Sequence, residues 1–252
     1  MISGIFGAVL MAAFGIYYFR NKKRNRKRAL FCKALATSVP GFLLLAGLHG
    51  TGTLELAAGT DIRLESAAAG TLSAILFYMA ADVLLECRFI WGAVCFSIGH
   101  ICMALGFLLS GESVLRAEES GGYIIDTGLL CLMLAVCVVF VVSACAVLHR
   151  YFPSLKKKRL FYPLLGYVLV LSVMSSLAVA AGAYICLENC GTLRAAGGLI
   201  PLAGGLCFAV SDVLLGRNRM GKHRSVVCGA LVLILYYTAV YFFAMRLWIY
   251  TL

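Results

Sequence analysis

The sequence predicts an all-α integral membrane protein: eight transmembrane helices in two parallel four-helix repeats, with both termini on the outer side. Three observations carry that expectation. Of 252 residues, 62% are hydrophobic and 13% charged, and the mean hydropathy is +0.96. A soluble domain of average composition is about half apolar and about a quarter charged, so this chain reads as polytopic. The basic residues, source of a net charge of +11, gather in short segments between long apolar runs. That distribution is membrane topology and not the footprint of a nucleic-acid-binding protein. Finally, LFYMAADVLL at 76–85 returns as LCFAVSDVLL at 206–215, so Asp82 and Asp212 lie 130 residues apart.

The first apolar run, 2–19, is long enough to span. It has no basic residue before it and no small-residue cleavage site after it, whereas seven basic residues follow in 20–28. A cleaved signal peptide carries its charge at the other end, so the run reads as a retained helix with an outside N-terminus. Further spans are expected at 30–48, 67–85, 89–109, 122–148, 160–184, 195–215 and 226–248. Segments assigned inside (20–28, Arg88, 150–159 and 217–224) hold 17 of the 22 Lys and Arg residues. Most acids, among them Glu55, Asp61, Glu65, Glu112, Glu118, Glu119 and Glu188, fall outside. Lys/Arg bias sets orientation, and here it is large.

The 130-residue offset also relates RALFCKAL, from Arg28, to KRLFYPLL, from Lys158. Two matches at one offset point to an internal duplication within a single membrane domain over 1–252, with repeat one at 1–121 and repeat two at 122–252. Four helices per unit is an even number, so the repeats are parallel. Small residues on the repeat helices, including Gly70, Gly182, Gly198 and Gly205, permit close helix packing. Pro201, placed inside the seventh span, is expected to kink it. No soluble domain is visible, so any chemistry must be built by the helices.

Asp82 and Asp212 are the strongest candidates for that chemistry, because an acid within an apolar helix is costly. They can cap or salt-bridge at the inner interface. Alternatively they can face one another in a partly dry site, where two close acids divide into a proton donor and a base. Lys33 stands at a similar depth and can neutralise Asp82, bind a lipid phosphate, or snorkel to the basic segment before it. Ser211 can donate to substrate or bond back into its own helix. His100, mid-helix, and Tyr236 and Tyr237, at comparable depth in the last span, can form a proton relay or a substrate-orienting layer, or simply satisfy neighbours. The four histidines are scattered in level, so no metal site is expected. No phosphate loop or nucleophile elbow stands out, and no cofactor is expected. Most of the eleven cysteines fall in apolar spans, where Cys acts as a small hydrophobe. Cys186 and Cys190 could pair if their side is oxidising.

Taken together, GTLSAILFYMAADVLL, GAVCFSIGHICMALGF, GGLCFAVSDVLL and LVLILYYTAVYF resemble the YhhN-like lysoplasmalogenase family of polytopic membrane proteins. The resemblance runs from Lys33 onward and rests on an aspartate in the third helix, a histidine in the next, Ser-Asp late in the seventh and tyrosines in the last. Ala81, Ala34 and Val240 stand where that family usually has Gly, Pro and Gln. The resemblance implies hydrolysis of the vinyl-ether bond of a lysoplasmalogen, a lysophospholipid drawn from the bilayer, to a fatty aldehyde and a glycerophospho-head-group. Asp82 and Asp212 would divide acid and base roles, His100 and Tyr237 would orient water or substrate, and Lys33 would attract the phosphate. A plasma-membrane location is expected for a bacterial protein. From the residues alone, a proton- or cation-coupled transporter using the same aspartates competes with the hydrolase.

Overall fold

The computed structural model describes residues 2–50, 62–118, 122–221 and 225–249. Glu55, Asp61, Glu119 and His223 lie outside the described residues. Among the described residues are nine α-helices, eight of them long and apolar enough to cross a membrane. They are α1 (Ile2–Asn21), α2 (Arg26–Gly50), α3 (Ile62–Cys87), α4 (Phe89–Leu109), α5 (Thr127–Leu148), the short α6 (Phe152–Lys157), α7 (Phe161–Glu188), α8 (Leu199–Met220) and α9 (Val226–Ile249). The chain is an integral, multi-pass membrane protein. Its outward surface is apolar: Ile5, Phe6 and Val9 on α1 and Val138, Val139 and Val142 on α5 are all exposed, as a hydrocarbon solvent requires.

Chain neighbours pack as antiparallel pairs: α1 on α2, α3 on α4, α5 on α7 and α8 on α9. Contacts of α2 with α3 and of α7 with α8 join these pairs into two groups of four. The groups are then joined by α4 against α7 and α2 against α9. Glycine makes the tightest contacts possible. A Cβ on Gly70 of α3 would lie 2.8 Å from the Gly106 Cα of α4, and one on Gly205 of α8 would lie 2.7 Å from the Ser175 carbonyl oxygen of α7. Water supplies no driving force between helices in a bilayer, so this close backbone approach supplies the packing contacts. Between the groups lies an aromatic core, in which the Tyr78 and Phe208 rings sit 5.2 Å apart.

Local details refine the sequence expectation. The fifth helix starts at Thr127, not at 122, because Asp126 caps it by accepting the Leu129 N–H at 2.9 Å. The apolar residues before the cap form strand β2 (Tyr123–Ile125), paired antiparallel with β1 (Leu115–Ala117). This strand pair flanks the boundary drawn between the repeats at 121 and 122, and it is a minor addition to an all-α fold. The seventh span lies where expected, over Arg194–Met220, but it opens on a 3-10 turn at 193–198, and α8 begins at Leu199. Pro201 therefore sits in the first turn of α8, where its missing N–H had no helical partner to lose, and it is no kink site. Cys186 and Cys190, whose pairing the sequence leaves open, are both free, and the Cys186 thiol donates to the Ala195 carbonyl at 3.3 Å.

One end of the bundle gathers the basic connections. Arg26 at the start of α2 donates to the Glu86 carbonyl near the end of α3, and Arg219 near the end of α8 reaches the Glu86 carboxylate at 2.6 Å. At the opposite end, Arg116 of β1 pairs with Asp126 and with Glu188 at the end of α7.

Candidate active site at the basic end of the bundle

A cavity of about 420 Å³ opens at the basic end, within the size range of small-molecule sites. Its deep part is lined by Lys33, Asp82, Phe96, Asp212 and Tyr236, its walls by Leu85, Leu215, Val232 and Leu233. Asp82 and Asp212 thus face one space from α3 and α8. Asp212 stands eight residues before the end of its helix, about 12 Å along the axis, and Asp82 five before its own, about 8 Å. Both α3 and α8 continue past their apolar runs as helix.

Asp82 is 1% exposed, and three donors converge on it. Lys33 Nζ of α2 lies 3.0 Å from Oδ1 and 3.4 Å from the Asp82 carbonyl oxygen. On Oδ2, the Thr37 hydroxyl of α2 donates at short range and the Tyr236 hydroxyl of α9 donates at 3.1 Å. The Thr37 side chain stands one turn beyond Lys33 on the same helix face, which is why one helix supplies both contacts. In the structure Lys33 forms the ion pair with Asp82. A buried charge is tolerable when it is paired and hydrogen-bonded, and Asp82 is both.

Asp212 is held differently. Tyr167 of α7 donates to Oδ2 at short range, His100 Nε2 of α4 lies 3.7 Å from the same oxygen, and the Ser211 hydroxyl lies 3.3 Å from Oδ1. Ser211 Oγ also bonds back to the Phe208 carbonyl at 2.9 Å, so this hydroxyl is shared between its own helix and the aspartate. Among the described residues, no lysine or arginine pairs with Asp212 in this cage. His100 is fully buried, with Nε2 3.3 Å from the Tyr167 hydroxyl and Nδ1 2.9 Å from the Tyr78 hydroxyl. These bonds close into one consistent chain: Tyr78 donates to Nδ1, Nε2–H donates to Tyr167, and Tyr167 donates to Asp212. Tilted and edge-on rings of Tyr78, Phe96 and Phe208 fix the imidazole plane.

Of the residues singled out in the sequence, Lys33, Asp82, Asp212 and Tyr236 meet at the cavity. His100 and Ser211 stand behind Asp212. Tyr237 does not join them: its hydroxyl is buried without a hydrogen-bond partner, and its ring packs where a Cβ on Gly15 of α1 would lie 2.8 Å away. Thr37, Tyr78 and Tyr167 are additional members. The signal for two of them was present, since Thr37 and Tyr167 are separated by the same 130 residues as the aspartates they bind.

Neither a curated protein nor a solved structure matches the chain. The YhhN family model matches residues 50–247, which takes in both aspartates, His100 and Tyr236 and begins after Lys33 and Thr37. The chain belongs to the YhhN family.

Proposed function

We propose that the protein is an intramembrane hydrolase that cleaves the vinyl-ether bond of lysoplasmalogens. The observation that carries this reading is the pair of aspartates facing one cavity, each in a different cage of donors. Family membership agrees with it.

Vinyl ethers resist base and yield to acid. A proton is added to the β-carbon of the double bond, leaving an oxocarbenium ion. Water then adds to the cationic carbon and loses a proton, giving a hemiacetal. The hemiacetal breaks its bond to the glyceryl oxygen, which takes up a proton, and an aldehyde and a glycerophospho-alcohol leave. One water is consumed and no redox partner is needed. Such a path needs a group that delivers a proton to carbon and a negative charge beside the cation.

Asp212 suits the proton-delivering role. Its partners are neutral hydroxyls and an imidazole, and the chain from Tyr78 through His100 and Tyr167 can return a proton to it. Asp82 suits the charge-stabilising role, because its ion pair with Lys33 keeps a carboxylate at the cavity wall. Tyr236 orients that carboxylate. Apolar walls and aromatic rings exclude bulk water, which strengthens both effects.

The experiment is aldehyde release by purified protein in detergent, with a lysoplasmalogen compared against its saturated alkyl-ether analogue. Aldehyde from the vinyl ether alone supports the hydrolase. No aldehyde from any head group, together with proton-coupled flux in liposomes, would replace it by the transporter, which the buried acids also accommodate.

A further inference from the structure

The mouth of the cavity is built differently from its floor. Tyr18 and Lys22 from the end of α1, Lys23 and Arg26 around the start of α2, Glu86 from α3 and Arg219 from α8 line it together. Among the described residues, four cations thus surround the Glu86 carboxylate. Glu86 accepts from Arg219 Nη2 at 2.6 Å and from the Tyr18 hydroxyl at 3.2 Å, both on the same oxygen. Arg26 holds the Glu86 backbone carbonyl instead. Like charges crowd here: burial pushes the Lys22 ammonium below the usual lysine value, Arg219, Lys23 and Lys33 push it further, and Glu86 opposes them.

Lys33 Nζ is already engaged by Asp82, at 3.0 Å to Oδ1 and 3.4 Å to the carbonyl oxygen, so an anionic head group at the cavity mouth draws on other partners. We propose that the cavity mouth is a phosphate site formed by Arg219, Arg26, Lys22 and Lys23, and that Glu86 occupies it as an internal anion which the ligand's phosphate displaces from Arg219. This inference takes its ligand class, a lysophospholipid, from the hydrolase reading.

The spacing fits such a ligand. Glu86 is one turn beyond Asp82, about 6 Å along α3, and Arg219 is two turns beyond Asp212, about 10 Å along α8. In a glycerophospholipid five single bonds separate the ether oxygen from phosphorus, roughly 6 Å when extended. A phosphate at the mouth therefore brings the ether bond to the level of the aspartates. The leucine and valine walls between mouth and floor suit an amphiphile better than a free ion.

The test is binding, kept separate from turnover. A saturated alkyl-ether lysophosphatidylethanolamine, which has no vinyl bond to cleave, is titrated into wild type, Arg219→Gln and Glu86→Gln in detergent, with alkylglycerol and inorganic phosphate as comparison ligands. The site predicts that alkylglycerol binds at least tenfold more weakly than the phospholipid. Arg219→Gln should weaken the phospholipid about tenfold, as loss of a charge-assisted bidentate donor does. Glu86→Gln should tighten it about fivefold, by removing the competing anion. A gain of affinity cannot arise from misfolding, so the Glu86 variant keeps the test decisive if the Arg219 variant is unstable. Displacement of the phospholipid by millimolar inorganic phosphate would assign the site to phosphate itself, and resistance to it would assign the site to the lipid head group. Unchanged affinity in both variants, or weaker binding in Glu86→Gln, would overturn the proposal. Aldehyde assays on the same preparations separate the two claims: binding as predicted without turnover removes the hydrolase and leaves the anion site, and turnover with insensitive binding does the reverse.

Discussion

Thr37 and Tyr167 stand 130 residues apart, the interval that also separates Asp82 from Asp212, and each donates its hydroxyl to the aspartate of its own half. The fourth helix of each half serves the other half: Tyr236 of α9 reaches Asp82, and His100 of α4 approaches Asp212. The helix neighbours follow the same exchange, with α4 against α7 and α2 against α9. This pattern is the one that the proposed duplication would leave. It also means that neither half completes a site alone. What differs between the halves, a lysine on one aspartate and an imidazole beside the other, is what the proposed mechanism uses.

Lys33→Met removes the cation and leaves Asp82 buried among neutral donors. Breaking a buried pair from one side costs about 3–5 kcal/mol. The variant should lose stability on that scale and lose aldehyde release. In the double variant Lys33→Met with Asp82→Asn the stability should partly return, while activity stays absent. Thermal unfolding in detergent, read alongside turnover, checks both.

Tyr236 and Tyr237 separate function from packing within one turn of α9. Tyr236→Phe deletes the hydroxyl that orients Asp82 and should lower kcat about tenfold with KM little changed. Tyr237→Phe deletes a buried hydroxyl that has no partner, so it should leave kcat unchanged and stability equal or slightly higher. Steady-state kinetics on the two variants distinguishes them; equal losses would contradict the geometry.

Carbon protonation leaves an isotopic trace. Turnover in deuterium oxide should place one deuterium on the carbon next to the aldehyde, measured by mass spectrometry after immediate reduction to the alcohol. Aldehyde free of deuterium would exclude the acid-initiated path.

At the far end of the bundle, Asp126 gives a pH prediction for stability. The Leu129 N–H it caps, then the neighbouring Arg116, hold its carboxyl below the ordinary value of 3.8. A folded pKa below the unfolded one means that the stabilisation is complete above 3.8 and is lost as pH falls through the folded value. Wild type should therefore melt higher than Asp126→Ala at pH 7, and the difference should shrink below 3.8. Melting curves across that range in detergent are the measurement.

The spans were legible because a bilayer demands long apolar helices, and the basic segments marked their ends. Asp82 and Asp212 stood out for the same reason, as charges where charge is costly. Tyr167 and Thr37 did not, since hydroxyls inside apolar runs are ordinary; only the shared offset could have marked them. The choice between Tyr236 and Tyr237 depends on the rotation of α9, which two adjacent tyrosines in an apolar run leave undetermined. The hairpin before α5 was hidden because Tyr123, Ile124 and Ile125 are as apolar as the helix they precede, and the cap at Asp126 was the missed signal. Glu86 and Arg219 are 133 residues apart, and nothing local in either segment announces the pair.

The central claim is that Asp82 and Asp212 act together on a vinyl ether in one cavity. The most direct measurement is aldehyde release from a lysoplasmalogen by wild type, Asp82→Asn and Asp212→Asn, each folded protein being verified by its melting curve. The account predicts aldehyde from wild type and at least a thousandfold loss in both variants, as removal of an acid–base group and of its charge-stabilising partner requires. Full turnover by either folded variant would contradict it.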